Sequence, residues 1–430
     1  MKRLRYGTPE FEREAKKLYN RPAYPPEAEK AAAEIIEAVR KDGDKAIVRY
    51  AEKFDGVKLA PADFRVTEAE IDAAAKQLAP ADKRAIRQAL KQVAAFARMT
   101  RPYSWHKCVR KGVTVGEKFT PLDRVGVYIP GGSAPLVSTV IHTEGIAYAA
   151  GVRSIAAATP AKALHPATLF AMREAGVTEI YRLGGVYGVA ALALGTKTIR
   201  KVDKIVGPGN AYVTAAKKLL YGEVGIDLVA GPSEILVLAD ESADPELIAA
   251  DLLSQAEHGS GLEQSVLVST SGELIDRVAA EFDRQKRTLP KLAAIEKVEK
   301  NGLFLIEAPN LAVAEEIAGS YAPEHLELHV ADPEDSVRRI RAAGAIFLGP
   351  WTPESAGDFC AGPSHVLPTA GSALRFNGIE TATFLRRTSL VKYSYEAIYR
   401  ESEIIERFGN MESLAAHARA GTVRRGKSKN

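Results

Sequence analysis

The sequence predicts an α/β fold: two domains with interleaved chain segments, each built on a parallel sheet, flanked by small helical arms. Three observations point there. Helical runs end in Ala150-Gly151-Val152, Ala175-Gly176-Val177 and Ala343-Gly344-Ala345, and each is followed by a short apolar run, at 154–158, 179–183 and 346–348. A helix, a glycine stop and a short strand in alternation is the pattern of α/β layers on a parallel sheet. The third copy lies far from the first two. The stretch between, roughly 234–318, has strands of its own at Ile235–Leu238, Val266–Ser269 and Gly302–Ile306. Finally, 430 residues exceed what one simple core organises.

In chain order, residues 1–25 are polar and rich in Tyr and Pro, and read as an N-terminal arm. Residues 26–126 with 234–318 are expected to form one α/β domain, and 127–233 with 319–380 the other. From Pro26 to Lys41, Ala31, Ile35 and Val39 recur at helical spacing until Gly43 stops the run. Residues 44–54 and 67–99 read as further helices, with Thr67 and Glu70 spaced as a capping box. Val113, Val115, Val125, Val127 and Ile129 mark strands, followed by the loop Pro130-Gly131-Gly132-Ser133-Ala134-Pro135. Residues 381–430 are polar and helical, and read as a C-terminal arm.

Composition narrows the class. Hydrophobic residues make up 46% and charged residues 26%, ordinary for a soluble globular chain. The net charge of +4 sits largely in Arg424, Arg425, Lys427 and Lys429, a short solvated tail that argues against nucleic-acid binding. Two cysteines, Cys108 and Cys360, exclude a disulfide framework and suit a reducing cytoplasm. Met1-Lys2-Arg3-Leu4-Arg5 has no apolar stretch behind it, so no secretory signal is expected, and no run of 18 apolar residues suggests a membrane span.

Chemistry concentrates in four places. In Leu253-Ser254-Gln255-Ala256-Glu257-His258-Gly259, after a helical run from Asp244, Gln255 and His258 are three apart and project from one helix face. An amide oxygen and an imidazole are two ligands for a borderline metal. Asp358 and His417 would complete two nitrogen and two oxygen donors, a set that suits zinc and also admits manganese or another divalent ion. Equally, a histidine of this kind can be a hydrogen-bonded imidazole, and Asp358 a turn residue. Glu324-His325, after Ala322-Pro323, pairs a carboxylate with a base of near-neutral pKa. Adjacent strand residues face opposite ways, so both reach one site only at a strand end, which Pro323 supplies. Cys360 is either a small apolar filler or a nucleophile. The dinucleotide fingerprint is incomplete: Gly184-Gly185-Val186-Tyr187-Gly188 and Gly207-Pro208-Gly209-Asn210-Ala211-Tyr212 each lack a required glycine. The sheets are expected to be Rossmann-like but incomplete. No P-loop and no H-E-x-x-H motif occurs, which removes P-loop NTPases and zincin proteases.

Taken together, these stretches resemble the histidinol dehydrogenase family from about residue 26 to about 425. The matching segments, in order, are Val127-Tyr128-Ile129-Pro130-Gly131-Gly132, the run from Val202 to Asn210, Ala230-Gly231-Pro232-Ser233-Glu234 and Ser254-Gln255-Ala256-Glu257-His258. Then follow Ala322-Pro323-Glu324-His325-Leu326-Glu327, Gly357-Asp358, His365-Val366-Leu367-Pro368-Thr369, and Glu412 with His417. The resemblance implies oxidation of L-histidinol to L-histidine through L-histidinal, the last steps of histidine biosynthesis, with two NAD+ used in succession. It implies one zinc per subunit on Gln255, His258, Asp358 and His417, and acid–base roles for Glu324 and His325. Substrate contacts would be Ser233, His365 and Glu412, together with His325 and the zinc ligands. NAD+ contacts would be Tyr128 and Asn210, which makes the 127–233 segment the cofactor side. A cytoplasmic homodimer is implied, in which the C-terminal arm carries Glu412 and His417 into the partner's site.

The chain departs from the family pattern in three places. Tyr187 stands where a glutamine usually contacts NAD, and its ring is expected to pack on the nucleotide. Ser364 replaces the asparagine before the substrate histidine, and His142-Thr143-Glu144-Gly145 replaces an apolar-and-Asn stretch. These changes motivate an alternative, a family dehydrogenase for another small alcohol such as a sulfonated diol. A third reading, a zinc hydrolase or a metal-binding protein without catalysis, rests on the incomplete fingerprint.

Overall fold

The computed structural model describes residues 1–131 and 135–427. The Gly132-Ser133-Ala134 part of the Pro-Gly-Gly loop and Lys429 of the basic tail lie outside them. Two compact units form: one from Met1–Thr100 with Asp123–Thr383, the other from Arg101–Leu122 with the chain from Phe384 onward.

The larger unit holds two parallel sheets with the same winding. In the first, the strands Arg124–Tyr128, Ser154–Ala158, Glu179–Tyr181, Lys204–Val206 and Gly225–Ile226 take the order 3-2-1-4-5 when numbered along the chain. In the second, Glu234–Ala239, Gln264–Ser269, Leu303–Glu307, His325–His329 and Ala345–Leu348 repeat that order. This is the Rossmann-type arrangement, with a crevice where the winding reverses beside strand 1.

Sequence explains the elements locally. Gly151 and Gly176 end their helices at φ +96° and +78°, a conformation only glycine adopts without strain. Thr67 caps the helix Glu68–Gln77 reciprocally with Glu70, as a capping box. The four inner strands of the six-stranded sheet are buried on both faces, so their apolar residues run nearly without a break. Leu236, Leu238, Val266, Val268, Leu326 and Leu328 pack toward the helices Pro9–Tyr19 and Leu311–Tyr321. Ile235, Val237, Leu267 and Leu305 pack toward Pro245–Ala256, Gly272–Lys286 and Leu292–Asn301.

Several expectations are corrected. The N-terminal segment is not a detached arm: Lys2–Arg5 is an edge strand parallel to Leu303–Glu307, and Phe11, Ala15 and Leu18 enter the core. Three basic residues in four disguise the strand, a common way of protecting a sheet edge. The domain grouping also changes. Strand His325–His329 pairs with Glu234–Ala239, so 325–348 belong with 234–307 and not with 127–233. The helical residues from Ala28 to Phe64 pack instead on the sheet of 124–226. Strand partners are non-local, and hydrophobic period does not reveal them. The expected 67–99 helix is split before Pro80, whose ring disfavours helix at the residue ahead of it. Finally, the helix before Gly344 ends at Arg339. Gly344 serves a close approach, since a Cβ there would meet the Glu324 carbonyl oxygen at 2.5 Å.

The smaller unit begins its C-terminal part with a strand, Leu385–Tyr393, which the charged residues Arg386, Arg387 and Lys392 concealed. It pairs antiparallel with Val113–Pro121, which pairs with Trp105–Arg110. The helices Tyr395–Met411 and Ala415–Thr422 follow, as expected, and carry Glu412 and His417 at and after the turn between them.

Candidate active site

Glu324 and His325 stand at the amino end of their strand. Ala322 at φ +48° and Pro323 make the break that lets two neighbouring side chains serve one site. The backbone of Glu234 holds both: its N–H donates to Glu324 Oε2 at 3.0 Å, and its carbonyl oxygen lies 3.0 Å from His325 Nδ1. A carbonyl only accepts, so Nδ1 carries the proton and Nε2 keeps the free lone pair. His325 Nε2 is buried without a hydrogen-bond partner and lies 3.8 Å from Asp358 Oδ1. Burial pushes the His325 pKa down and keeps the ring neutral, while Asp358 opposes this. Burial also raises the Glu324 carboxyl well above the usual range, against the Glu234 N–H that favours its charged form.

Around this pair gather most of the expected ligands. Gln255 is fully buried on the last turn of helix Pro245–Ala256, and among the described residues neither its amide oxygen nor its nitrogen has a hydrogen-bond partner. Leaving such an amide unmet costs about 1–3 kcal/mol, which a ligand on its oxygen would offset. His258 does not share the helix face. The helix stops at Ala256, and the His258 ring turns back so that Nδ1 lies 3.1 Å from the Gln255 carbonyl oxygen. Asp358, on the short helix Glu354–Phe359, is 3.7 Å from His365 Nδ1. Burial and the neighbouring Glu354 lift its carboxyl to about 6, while His325 and His258 pull it down. His325, Glu354 and Asp358 each place one ligand atom within 4.8 Å of the others. These donors, one buried amide, imidazoles and carboxylates with no cationic side chain among them, fit a divalent metal of zinc type.

Glu354 was not anticipated. It is buried, and Ser254 Oγ donates to its Oε2 at 2.7 Å while Oε1 sits 3.5 Å from His325 Nδ1. Its spacing of four residues before Asp358 on a helix was the available signal. His365 stacks on His142, ring centroids 4.6 Å apart, and Ser364 Oγ donates to the His142 carbonyl oxygen. The departures at 142 and 364 therefore meet beside the expected substrate histidine. Ser233, half-buried, precedes Glu234 at the edge of this group. Glu412 and His417 belong to the smaller unit, where both are exposed. Cys360 is exposed, a position at odds with an apolar filler.

Tyr128 and Asn210 lie at the carboxyl ends of the two strands of the five-stranded sheet between which its winding reverses, and Tyr187 follows the edge strand Glu179–Tyr181. Asn210 is exposed and caps helix Ala211–Leu220, accepting from Tyr212 N and Val213 N. Gly207, at φ +109°, passes so close to Tyr128 that a Cβ would meet its carbonyl oxygen at 2.3 Å. Neither Tyr128 nor Tyr187 presents an open aromatic face, which corrects the expected packing of the Tyr187 ring on a nucleotide. The Tyr128 hydroxyl accepts from Gly185 N at 2.9 Å, with the ring 3% exposed. Tyr187 is 1% exposed, its hydroxyl donates to Asp55 Oδ2 at 2.5 Å, and its ring stacks on Tyr50. Helix Gly185–Leu194 is apolar all round, so this ring packs inward and presents no face to a nucleotide.

Comparison with known proteins bears on this arrangement. The histidinol dehydrogenase family profile matches residues 20–425. A histidinol dehydrogenase of Synechococcus sp. is 44% identical over 399 residues, 92% of each chain, and one of Carboxydothermus hydrogenoformans is 40% identical over 410 residues, 95% of this chain and 96% of that one. The crystal structure of histidinol dehydrogenase from Elizabethkingia anophelis superposes with a TM-score of 0.93 at 34% identity, covering 99% of this chain and 98% of the other. The chain belongs to the histidinol dehydrogenase family, and is an oxidoreductase.

Proposed function

We propose that the chain oxidises L-histidinol to L-histidine through L-histidinal, passing two hydrides in succession to two NAD+. The convergence of Glu324, His325, Gln255, His258, Asp358 and His365 at one place carries this reading. The alcohol proton goes to His325 Nε2, the lone pair left free by the Nδ1 contact to Glu234. A neutral, buried imidazole accepts it without first losing a proton of its own. The second oxidation needs water added to the aldehyde. Glu324, its carboxyl raised above the usual range by burial, takes that water's proton with His325 alongside. His365 and Ser233 orient the substrate. Gln255, His258 and Asp358 would hold zinc, with His417 as fourth ligand; the metal would orient the substrate's amine and imidazole. Asn210 and the Gly207–Asn210 turn bind NAD+ at the carboxyl end of the five-stranded sheet. We further propose a cytoplasmic homodimer in which Glu412 and His417 serve a second copy's site.

The test is direct. Purified protein stripped of metal should form no NADH from L-histidinol and NAD+, and zinc should restore it. Absence of NADH from the zinc-loaded protein would overturn the reading. The stacking of His142 on His365 favours a second reading, a dehydrogenase for another small alcohol. In that case zinc-loaded protein would turn over such an alcohol and leave L-histidinol unchanged.

A further inference from the structure

Strand His325–His329 alternates in an unusual way. Leu326 and Leu328 enter the core on one face, while His325, Glu327 and His329 share the other, in register with Ile235, Val237 and Ala239 of the neighbouring strand. His325 belongs to the site above. Glu327 and His329 have no part in it, yet they are buried at 0% and 4% exposure. Helix Pro245–Ala256 packs on the same face and brings Asp251, itself 9% exposed.

Three ligand atoms converge there. His329 Nε2 lies 3.4 Å from Glu327 Oε2 and 3.8 Å from Asp251 Oδ2, and one atom from each residue falls within 4.8 Å of the other two. Among the described residues, neither ring nitrogen of His329 nor Oε2 of Glu327, all buried, has a hydrogen bond. Among the described residues, no lysine or arginine pairs with Asp251 or Glu327. Two buried carboxylates side by side must be neutralised by something. A proton shared between Asp251 and Glu327 would leave both ring nitrogens of His329 unmet, whereas a cation meets the imidazole as well as the carboxylates. His329 also ends its strand beside Ala239, at the point where the winding of this sheet reverses and ligands collect.

We propose that Asp251, Glu327 and His329 hold a second divalent cation, separate from the one expected at Gln255, His258 and Asp358. One imidazole and two carboxylates suit zinc or manganese, and the imidazole disfavours calcium and magnesium. The ion would brace the first site. It ties the helix bearing Gln255 to the strand bearing His325, and Glu327 Oε1 also accepts from Glu354 N at 2.7 Å.

The full-length protein, stripped with a chelator and dialysed, is titrated with zinc chloride and separately with manganese chloride. Bound metal is read by calorimetry and elemental analysis. Two equivalents per chain are expected for the wild type, and one for Glu327→Gln or Asp251→Asn. His258→Ala should keep the second site, and its melting temperature should still rise on metal addition, whereas in the double variant with Glu327→Gln it should not. If Glu327→Gln fails to fold by circular dichroism, Asp251→Asn carries the test. One equivalent in the wild type, or two persisting in both single variants, overturns the proposal.

Discussion

Arg21→Met tests how the N-terminal segment supports the site. Arg21 Nε and Nη2 reach both oxygens of Glu234 at 2.6 and 3.1 Å, Nη1 donates to the Leu18 carbonyl and Nη2 to that of Tyr321, and the guanidinium lies 3.7 Å over the Tyr321 ring. The pair is nearly inaccessible, at 7% and 4%. Methionine keeps the length and removes the charge, leaving the Glu234 carboxylate with the Ala370 N–H as its remaining donor. Breaking a buried pair from one side costs about 3–5 kcal/mol. With an unfolding entropy of ~2.1 cal/mol/K per residue over roughly 360 residues of the larger unit, that is a fall in melting temperature of about 4–7 °C. Burial already raises the Glu234 carboxyl against the pull of Arg21, and the variant raises it further. A carboxyl with raised folded pKa loses stability as pH climbs above its unfolded value. The gap between variant and wild type should therefore narrow as pH falls toward about 4.5. Because the Glu234 backbone holds Glu324 and His325, kcat should fall as well. Adding Glu234→Gln, which keeps an acceptor for Ala370, should recover most of the stability. A melting temperature within about 1 °C of wild type at pH 7 would refute the reasoning.

Three further outcomes are expected. His325→Gln should lower kcat for NADH formation by about 10²–10⁴ with little change in the KM for L-histidinol, and an unchanged kcat would remove it as the base. Glu179 is held down to about 2, chiefly by its two-point bond from Arg124. A depressed carboxyl stabilises fully above about 4.5 and loses that contribution as pH falls through about 2, so Glu179→Gln should cost up to ~3 kcal/mol near neutrality and nothing below pH 2 in acid-unfolding curves. Gly207→Ala places a Cβ against the Tyr128 carbonyl at a positive φ; it should cost at least ~2 kcal/mol in denaturant melts and raise the KM for NAD+.

Legibility followed physical locality. The glycine stops at 151 and 176, the Thr67–Glu70 cap and the break before Glu324 are decided within a few residues, and each was readable. Parallel α/β sheets were inferable from alternation alone; the order of their strands was not. Which segments share a sheet was not, because His325–His329 finds Glu234–Ala239 across roughly 85 residues of intervening chain that leave no periodic trace. Site residues divide similarly. Glu324 and His325 were visible as a pair, while the part played by Glu234 is a backbone one and has no side-chain signature. Tyr187 misled because an aromatic residue in a glycine-rich turn looks the same whether it faces a nucleotide or the core. Glu327 and His329 alternate with leucines as a strand would, and only the burial of both faces makes their polarity informative.

The most direct measurement of the central claim is the amount of NADH formed per L-histidinol consumed by zinc-loaded protein, followed to completion with excess NAD+. Two NADH per L-histidinol, with L-histidine as the product, is the predicted result. One NADH with free aldehyde released would contradict the two-step course assigned to Glu324 and His325, and none would contradict the substrate.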